Sequence, residues 1–213
     1  INTGGHSREI CDRIGSTGHL IGIDRDADAL AQARKNLATC QCTVDLVEGN
    51  YRDMNSVLAR LGITSVNGIL LDIGLSNRQL FDAGRGFTFL KDEPLIMTFE
   101  IHPSETDLTA EEVVNTWDEE HIADVIYGYG DEPRARKIAH AIVQARSETP
   151  ITRTKQLADI IAEAIPNRMY KRHIHPATKT FQALRIVVND ELGSLKDGID
   201  HALSLLASKG RLA

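Results

Sequence analysis

Three polar side chains stand where apolar runs end: Asp24 after His19 to Ile23, Tyr51 after Thr43 to Val47, and Asp72 within the run Val66 to Ile73. A carboxylate so placed can take both hydroxyls of a ribose. An aromatic ring can stack on a base, and a second carboxylate can accept a hydrogen from a reacting amine. Ahead of all three lies Thr3-Gly4-Gly5-His6-Ser7, a glycine pair running into a helical pattern. Such a helix start offers backbone N–H groups to an anion. Each residue also has an ordinary structural use, Asp24 as a surface acid, Tyr51 as a strand-end core residue and Asp72 as a cap for the next turn.

The glycine turn excludes two ligand classes. No Gly-Lys-Ser/Thr follows it, so it is not a phosphate-binding P-loop, and no spaced third glycine completes the dinucleotide fingerprint. What remains is a turn before a helix and, twenty residues after Gly4, the acid Asp24. A ribose-reading acid without a pyrophosphate-reading loop suits S-adenosylmethionine, whose tail is an amino acid. The helix start at His6 and Ser7 would face the carboxylate of that tail.

The elements that must position these groups alternate through the first half. Ile10 and Ile14 share a helical face, His19 to Asp24 reads as a buried strand, and Leu30, Ala33 and Leu37 mark a helix with Asp26 as its N-cap. Thr43 to Val47 is a further strand, Asp53 to Leu61 a helix, and Val66 to Ile73 a strongly apolar strand that Asp72 closes. Strands separated by helices predict a parallel sheet with helices on its faces and its chemistry at the C-terminal strand edge, where Asp24, Tyr51 and Asp72 should meet. From Asn77 to Glu100 the periodicity stops, as in a long functional loop, and Phe87 and Phe89 there could shield a substrate or form one buried edge.

Helical patterns follow at Glu111 to Trp117, Glu119 to Tyr127, Pro133 to Arg146 and Thr154 to Ala164. A long stripe from Phe181 to Leu206 is interrupted by Gly193 and Gly198, and Gly210 to Ala213 reads as a strand beginning. Both chain ends are expected to fall inside strands. The predicted organisation is α/β, with a first core part over 1–100, a helical insertion over 101–172 for RNA or substrate recognition, and a return to the core over 173–213.

The net charge of −6 conceals an asymmetry: Pro133 to Arg185 holds eleven Lys and Arg against three acids, a local excess of eight positive charges. That is the footprint of a polyanion-binding face on an otherwise acidic chain, or of a solvated helical surface. Cys11, Cys40 and Cys42 are odd in number and lack a paired CxxC spacing. They support neither a disulfide framework nor a zinc site, and no metal ligand set is expected. No apolar run approaches the roughly 20 residues that span a bilayer, and no leader pattern opens the chain, so a cytoplasmic address is the default.

"GGHSREI", "LIGIDRDADAL", "GNYRD", "GILLDIGLSNRQL", "RGFTF", "DEPLIM" and "HPATKTFQALRIVVNDEL" together resemble the bacterial ribosomal RNA small-subunit methyltransferase H family, from Gly4 to Ala213. The resemblance implies a Rossmann-like, S-adenosylmethionine-dependent methyltransferase sheet with an inserted all-helical domain. Its implied activity is methylation of the exocyclic N4 amino group of a cytidine in 16S ribosomal RNA. Its cofactor positions carry over to Gly4, Gly5, His6, Asp24, Tyr51, Asp72 and Gln79, with Asp72 also the candidate catalytic acceptor. Ile96 and Thr98 stand where the family has Asp and Arg.

For RNA the candidates are Lys171, Arg172, His175, Lys179 and Arg185. Lys179 and Arg185, six apart, lie about 120° from each other on a helix. Phe181 belongs to the apolar stripe, and His175 before Pro176 reads as a residue opening a helix. The implied partner is small-subunit ribosomal RNA or the assembled small subunit, with no membrane; the oligomeric state is left open, a dimer included. Two other classes remain open: a methyltransferase for another nucleic acid or a protein, and a non-catalytic RNA-binding module.

Overall fold

The computed structural model describes residues 1, 3–74, 84–100, 104, 107–165 and 175–213. The chain divides into two compact units. The first comprises Ile1–Gly74, Phe99–Ile101 and Leu192–Ala213, the second Leu75–Thr98 and His102–Glu191.

In the first unit β1 (His19–Asp24) pairs in parallel with β2 (Thr43–Glu48), His19 opposite Thr43 and Asp24 opposite Glu48. Side chains alternate between the faces of a strand, and this pair uses both faces. Leu20, Val44 and Leu46 pack with Cys11 and Ile14 of α1 (Gly5–Ile14) and with Ala33 of α2 (Ala27–Asn36). Ile21, Ile23 and Val47 pack instead with Met54, Val57 and Leu58 of α3 (Met54–Arg60) and with Ala202. Burial on both faces explains why these strands read as continuous apolar runs. As expected, Asp26 caps α2, its carboxylate accepting from the N–H groups of Asp28 and Ala29 at 3.0 and 3.1 Å.

A second parallel pair joins β3 (Val66–Ile69) to β4 (Leu206–Leu212). Val66 faces Leu206 but Gly68 faces Arg211, so β4 bulges between them, with Lys209 at φ 65°. The described architecture is thus mixed α/β with two small parallel sheets. Two expectations need correction here. The strand containing Ile69 ends there, leaving Asp72 in the connection beyond it, and the C-terminal strand begins at Leu206 instead of Gly210.

The second unit holds α4 (Ala110–Thr116), α5 (Glu119–Gly130), α6 (Ala135–Glu148), α7 (Thr154–Ala164) and α8 (Thr178–Val188). Thr109 and Asp118 cap α4 and α5, and Val113, Ile122, Ile126, Ile138, Ile142, Leu157, Ile161 and Leu184 are fully buried. This unit is wider than the expected insertion, since it takes in 75–98 and α8 as well. The physical reason is that α8 packs directly on α5. The long stripe is two helices, α8 and α9 (Glu191–Leu205), but the break is not at a glycine. Asp190 turns the chain at φ 45°, and the buried Asn189 amide donates to the carbonyls of Met97 and Arg185. Gly193 and Gly198 both lie inside α9.

Gly130 is where α5 meets α8: an added Cβ would stand 2.6 Å from the Lys179 carbonyl oxygen. At Gly128 on the same helix a Cβ would meet nothing within 4 Å. Replacing glycine by alanine inside a helix gains up to about 1 kcal/mol, whereas overpacking against a backbone costs about 1–3 kcal/mol. Denaturant unfolding of Gly128→Ala should therefore show a small gain in stability, and of Gly130→Ala a loss.

Candidate functional site

The glycine turn is built as its sequence suggests. Gly4 precedes α1 at φ 87°, a left-handed conformation that favours glycine, and a side chain at Gly5 would meet nothing within 4 Å. No side chain caps the start of α1. Among the predicted residues the structure brings His6 and Asp72 together: His6 Nδ1 lies 3.1 Å from Asp72 Oδ2, both exposed. The link joins the start of α1 to the connection after β3, 66 residues apart.

Asp24 is the last residue of β1 and is half-buried. Its Oδ1 accepts from the Asp26 N–H at 3.0 Å and its Oδ2 lies 3.3 Å from the Ile1 nitrogen. Tyr51 opens a 3₁₀ turn, Tyr51–Asp53, just beyond β2. Its ring joins the cluster around Met54 and Ala202 and sits against α9, where a Cβ at Gly198 would come within 2.7 Å of the ring. Three neighbouring contacts hold the same turn. Asn50 Nδ2 donates to Ser194 Oγ at 3.0 Å, Arg52 donates to Asp197 at 2.6 and 3.1 Å, and His201 Nδ1 lies 2.6 Å from the Arg52 carbonyl. The Arg52 hydrogen bond holds the Asp197 carboxyl below its ordinary range. Gln79, Lys171 and Arg172 lie outside the described residues.

In the second unit the basic candidates are largely paired. Lys179 Nζ donates to the Asp131 carbonyl. Arg185 makes a bidentate bond to Glu191, at 2.6 and 2.9 Å, with both side chains mostly buried. Arg134 approaches the buried Glu132, and Arg153 bonds Asp92 at 3.2 Å. All four acids lie outside Pro133 to Arg185, so among the described residues four of the positive charges have acidic partners that the window does not count. Arg136, Lys137 and Lys155 are exposed. His175 Nδ1 accepts from the Ala177 N–H at 3.2 Å, just ahead of α8, where the sequence expects a residue opening a helix. Its ring lies 4.6 Å from that of Phe89, which meets Phe181 edge-on at 5.0 Å. Phe181 is core, as expected, and Phe87 is also buried.

Two of the quoted blocks prove to be one knot, which sequence spacing alone did not reveal. Gly86, at φ 83°, lies so close to Pro94 that a Cβ would stand 2.2 Å from its carbonyl oxygen, and the Gly86 N–H donates to the buried Glu93 carboxylate at 2.9 Å. Met97 N–H donates to the Arg85 carbonyl, and Thr154 at the start of α7 exchanges hydrogen bonds with Glu93. Thr98, standing for the family's Arg, is buried in the same strap. The signal for this was present: a glycine in "RGFTF" and an acid before proline in "DEPLIM".

Parallel strand pairs, a glycine turn at a helix start and acids at or beyond strand ends are consistent with a methyltransferase fold. The family model described as the MraW methylase family matches residues 1–213, and the chain belongs to that family. It is 50% identical over 208 residues to a protein of Geobacter sulfurreducens named Ribosomal RNA small subunit methyltransferase H, covering 97% of this chain and 66% of that protein. Proteins of the same name from Deinococcus deserti and Deinococcus radiodurans are 47% and 49% identical over 209 residues. The match covers 98% of this chain in both, and 66% and 63% of those proteins. The chain thus spans about two thirds of its relatives' length. Among the described residues no helix is long and apolar enough to cross a membrane.

The pairing of Arg185 makes it an anchor across the break between α8 and α9. Losing a hydrogen bond to a charged group costs about 1.5–3 kcal/mol. Arg185→Ala and Glu191→Ala should each destabilise by about that much, and the double variant by little more than either alone. Additive losses in a denaturant-unfolding cycle would show that the pair is not coupled.

Proposed function

We propose that this chain belongs to an S-adenosylmethionine-dependent methyltransferase acting on the exocyclic N4 of a cytidine in 16S ribosomal RNA, in the cytoplasm. What chiefly supports this reading is the match of the family along the whole chain, together with the name its relatives carry. On this reading the two strand pairs are parts of one Rossmann-like sheet, and the second unit is an inserted helical domain that recognises small-subunit RNA or the assembled subunit.

The residues of the first unit fit the cofactor. The uncapped start of α1 and the open side of Gly5 suit the carboxylate of its amino-acid tail, with His6 beside it. Asp24 would take the ribose hydroxyls and Tyr51 would offer its ring to the adenine. Bound there, S-adenosylmethionine would supply an electrophilic methyl carbon on a sulfonium.

Cytosine's amino nitrogen is a poor nucleophile because its lone pair is delocalised into the ring. Alignment of amine, methyl carbon and sulfur is therefore the main requirement. Asp72, with one oxygen held by His6, would accept a hydrogen of the amine and stabilise the positive charge that develops on it. Lys171 and Arg172 would bind the RNA backbone. His175 would lie at the same surface, and Lys179 and Arg185 would contribute only by leaving their present acids.

Calorimetric titration of S-adenosylmethionine should give binding to this chain, weakened about ten- to hundredfold in Asp24→Ala, the equivalent of about 1.5–3 kcal/mol. In the full-length protein, labelled cofactor with small-subunit RNA or particles should label one cytidine, and Asp72→Ala should abolish transfer. Near-normal turnover in that variant would remove both roles of Asp72, and label appearing instead in DNA or protein pools would overturn the substrate. Replacing Lys171 and Arg172 by alanine should lower RNA affinity and reduce its salt slope by about two.

A further inference from the structure

Cys11 on α1, Cys40 in the turn after α2 and Cys42 just before β2 are brought together by the fold. Their sulfurs all lie within 4.8 Å of one another, and those of Cys11 and Cys42 are 2.9 Å apart. Cys11 and Cys42 are buried and Cys40 is half-buried. Ile10, Ile14, Leu20, Leu37 and Val44 surround them. Among the described residues no histidine or carboxylate joins the group.

We propose that Cys11, Cys40 and Cys42 form a preorganised three-thiol site for one trivalent, thiophilic metalloid centre, of which arsenous acid is the chemical type. Charge selects the class. Three thiolates around a monovalent soft cation leave a net charge of −2, and around a divalent one −1. In an apolar pocket either charge is heavily penalised. A trivalent centre leaves none.

Coordination points the same way. A closed zinc site takes four protein ligands, and among the described residues this group has three. At bonds of about 2.3 Å, a tetrahedral or trigonal centre spreads its sulfurs to about 3.8–4.0 Å. A pyramidal centre with narrower angles asks the Cys11–Cys42 pair to open less. The reaction balances without oxidant or reductant: three S–H and three As–OH bonds break, three S–As bonds form, and three waters leave. Half-buried Cys40 offers the first point of attack, and the two buried thiols then close the site.

Native mass spectrometry of the reduced chain with arsenite should show one arsenic added and three hydrogens lost, and X-ray absorption should show three sulfurs around it. Cys40→Ser, the least buried change, and Cys11→Ser and Cys42→Ser should each weaken binding by about a hundredfold, since each removes one arm of a multivalent contact. Circular dichroism would show that the variants remain folded. Binding undiminished in Cys40→Ser, arsenic held by fewer than three sulfurs, or tighter binding of zinc or Cu(I) than of arsenite would each overturn the assignment.

Discussion

The first unit depends on one close approach, the Tyr51 ring against the backbone of α9 at Gly198. Residues 50–53 and 194–201 are some 145 positions apart, so closing them carries a large conformational entropy cost. What offsets it is concentrated in a few residues on either side: the ring on the glycine, Arg52 on Asp197, Asn50 on Ser194 and His201 on the Arg52 carbonyl. Ala202, one turn further along α9, then enters the core with Met54, Val57 and Leu58. The same helix leads directly into β4, whose pairing with β3 sets where the connection carrying Asp72 begins. The contact that seats Tyr51 is therefore also the one that returns the chain to the sheet.

Elements governed by local chemistry were legible in the sequence. The Asp26 cap, the two-faced strands and the helices of the second unit follow from side chains within a few residues of each other. Elements governed by distant partners were not. A glycine in a helical stripe reads as a weakness because propensity is a local quantity, yet Gly198 is occupied by a ring from far along the chain. The actual break, at Asn189, comes from an amide that satisfies the Met97 carbonyl 92 residues away. Likewise the apolar run through Ile73 reads as one strand, whereas the strand ends at Ile69 and beyond it the Leu71 N–H donates to the Ala213 carbonyl.

Charge shows the same limit. A window along the chain counts only the charges inside it, and Asp92, Asp131, Glu132 and Glu191 all lie outside the basic segment that they neutralise in space. An excess of eight was legible; the four acids that face it among the described residues were not. Among the described residues the exposed cations of that segment, Arg136, Lys137 and Lys155, have no motif to single them out. The motif residues Lys179 and Arg185 are engaged within the second unit, with Asp131 and Glu191.

The exposure of the His6–Asp72 pair decides what it can contribute. Two charges 4 Å apart in water attract by about 1 kcal/mol, against about 4 kcal/mol at the effective dielectric of a protein surface cleft. With the Asp72 side chain 42% exposed, a charge on it acts in the first of these settings. A carboxylate in that setting lowers a barrier by only a small factor through its charge. On the proposed reading its larger contribution would be direction: one oxygen of Asp72 lies 3.1 Å from His6 Nδ1, which would leave the other for the amine. Alignment is what an amine with a delocalised lone pair most requires, and reaction partners well placed for attack are worth about 7–11 kcal/mol. On the proposed reading the acid would act first as a positioning group, and its electrostatic contribution would grow only as a bound base displaced water from it.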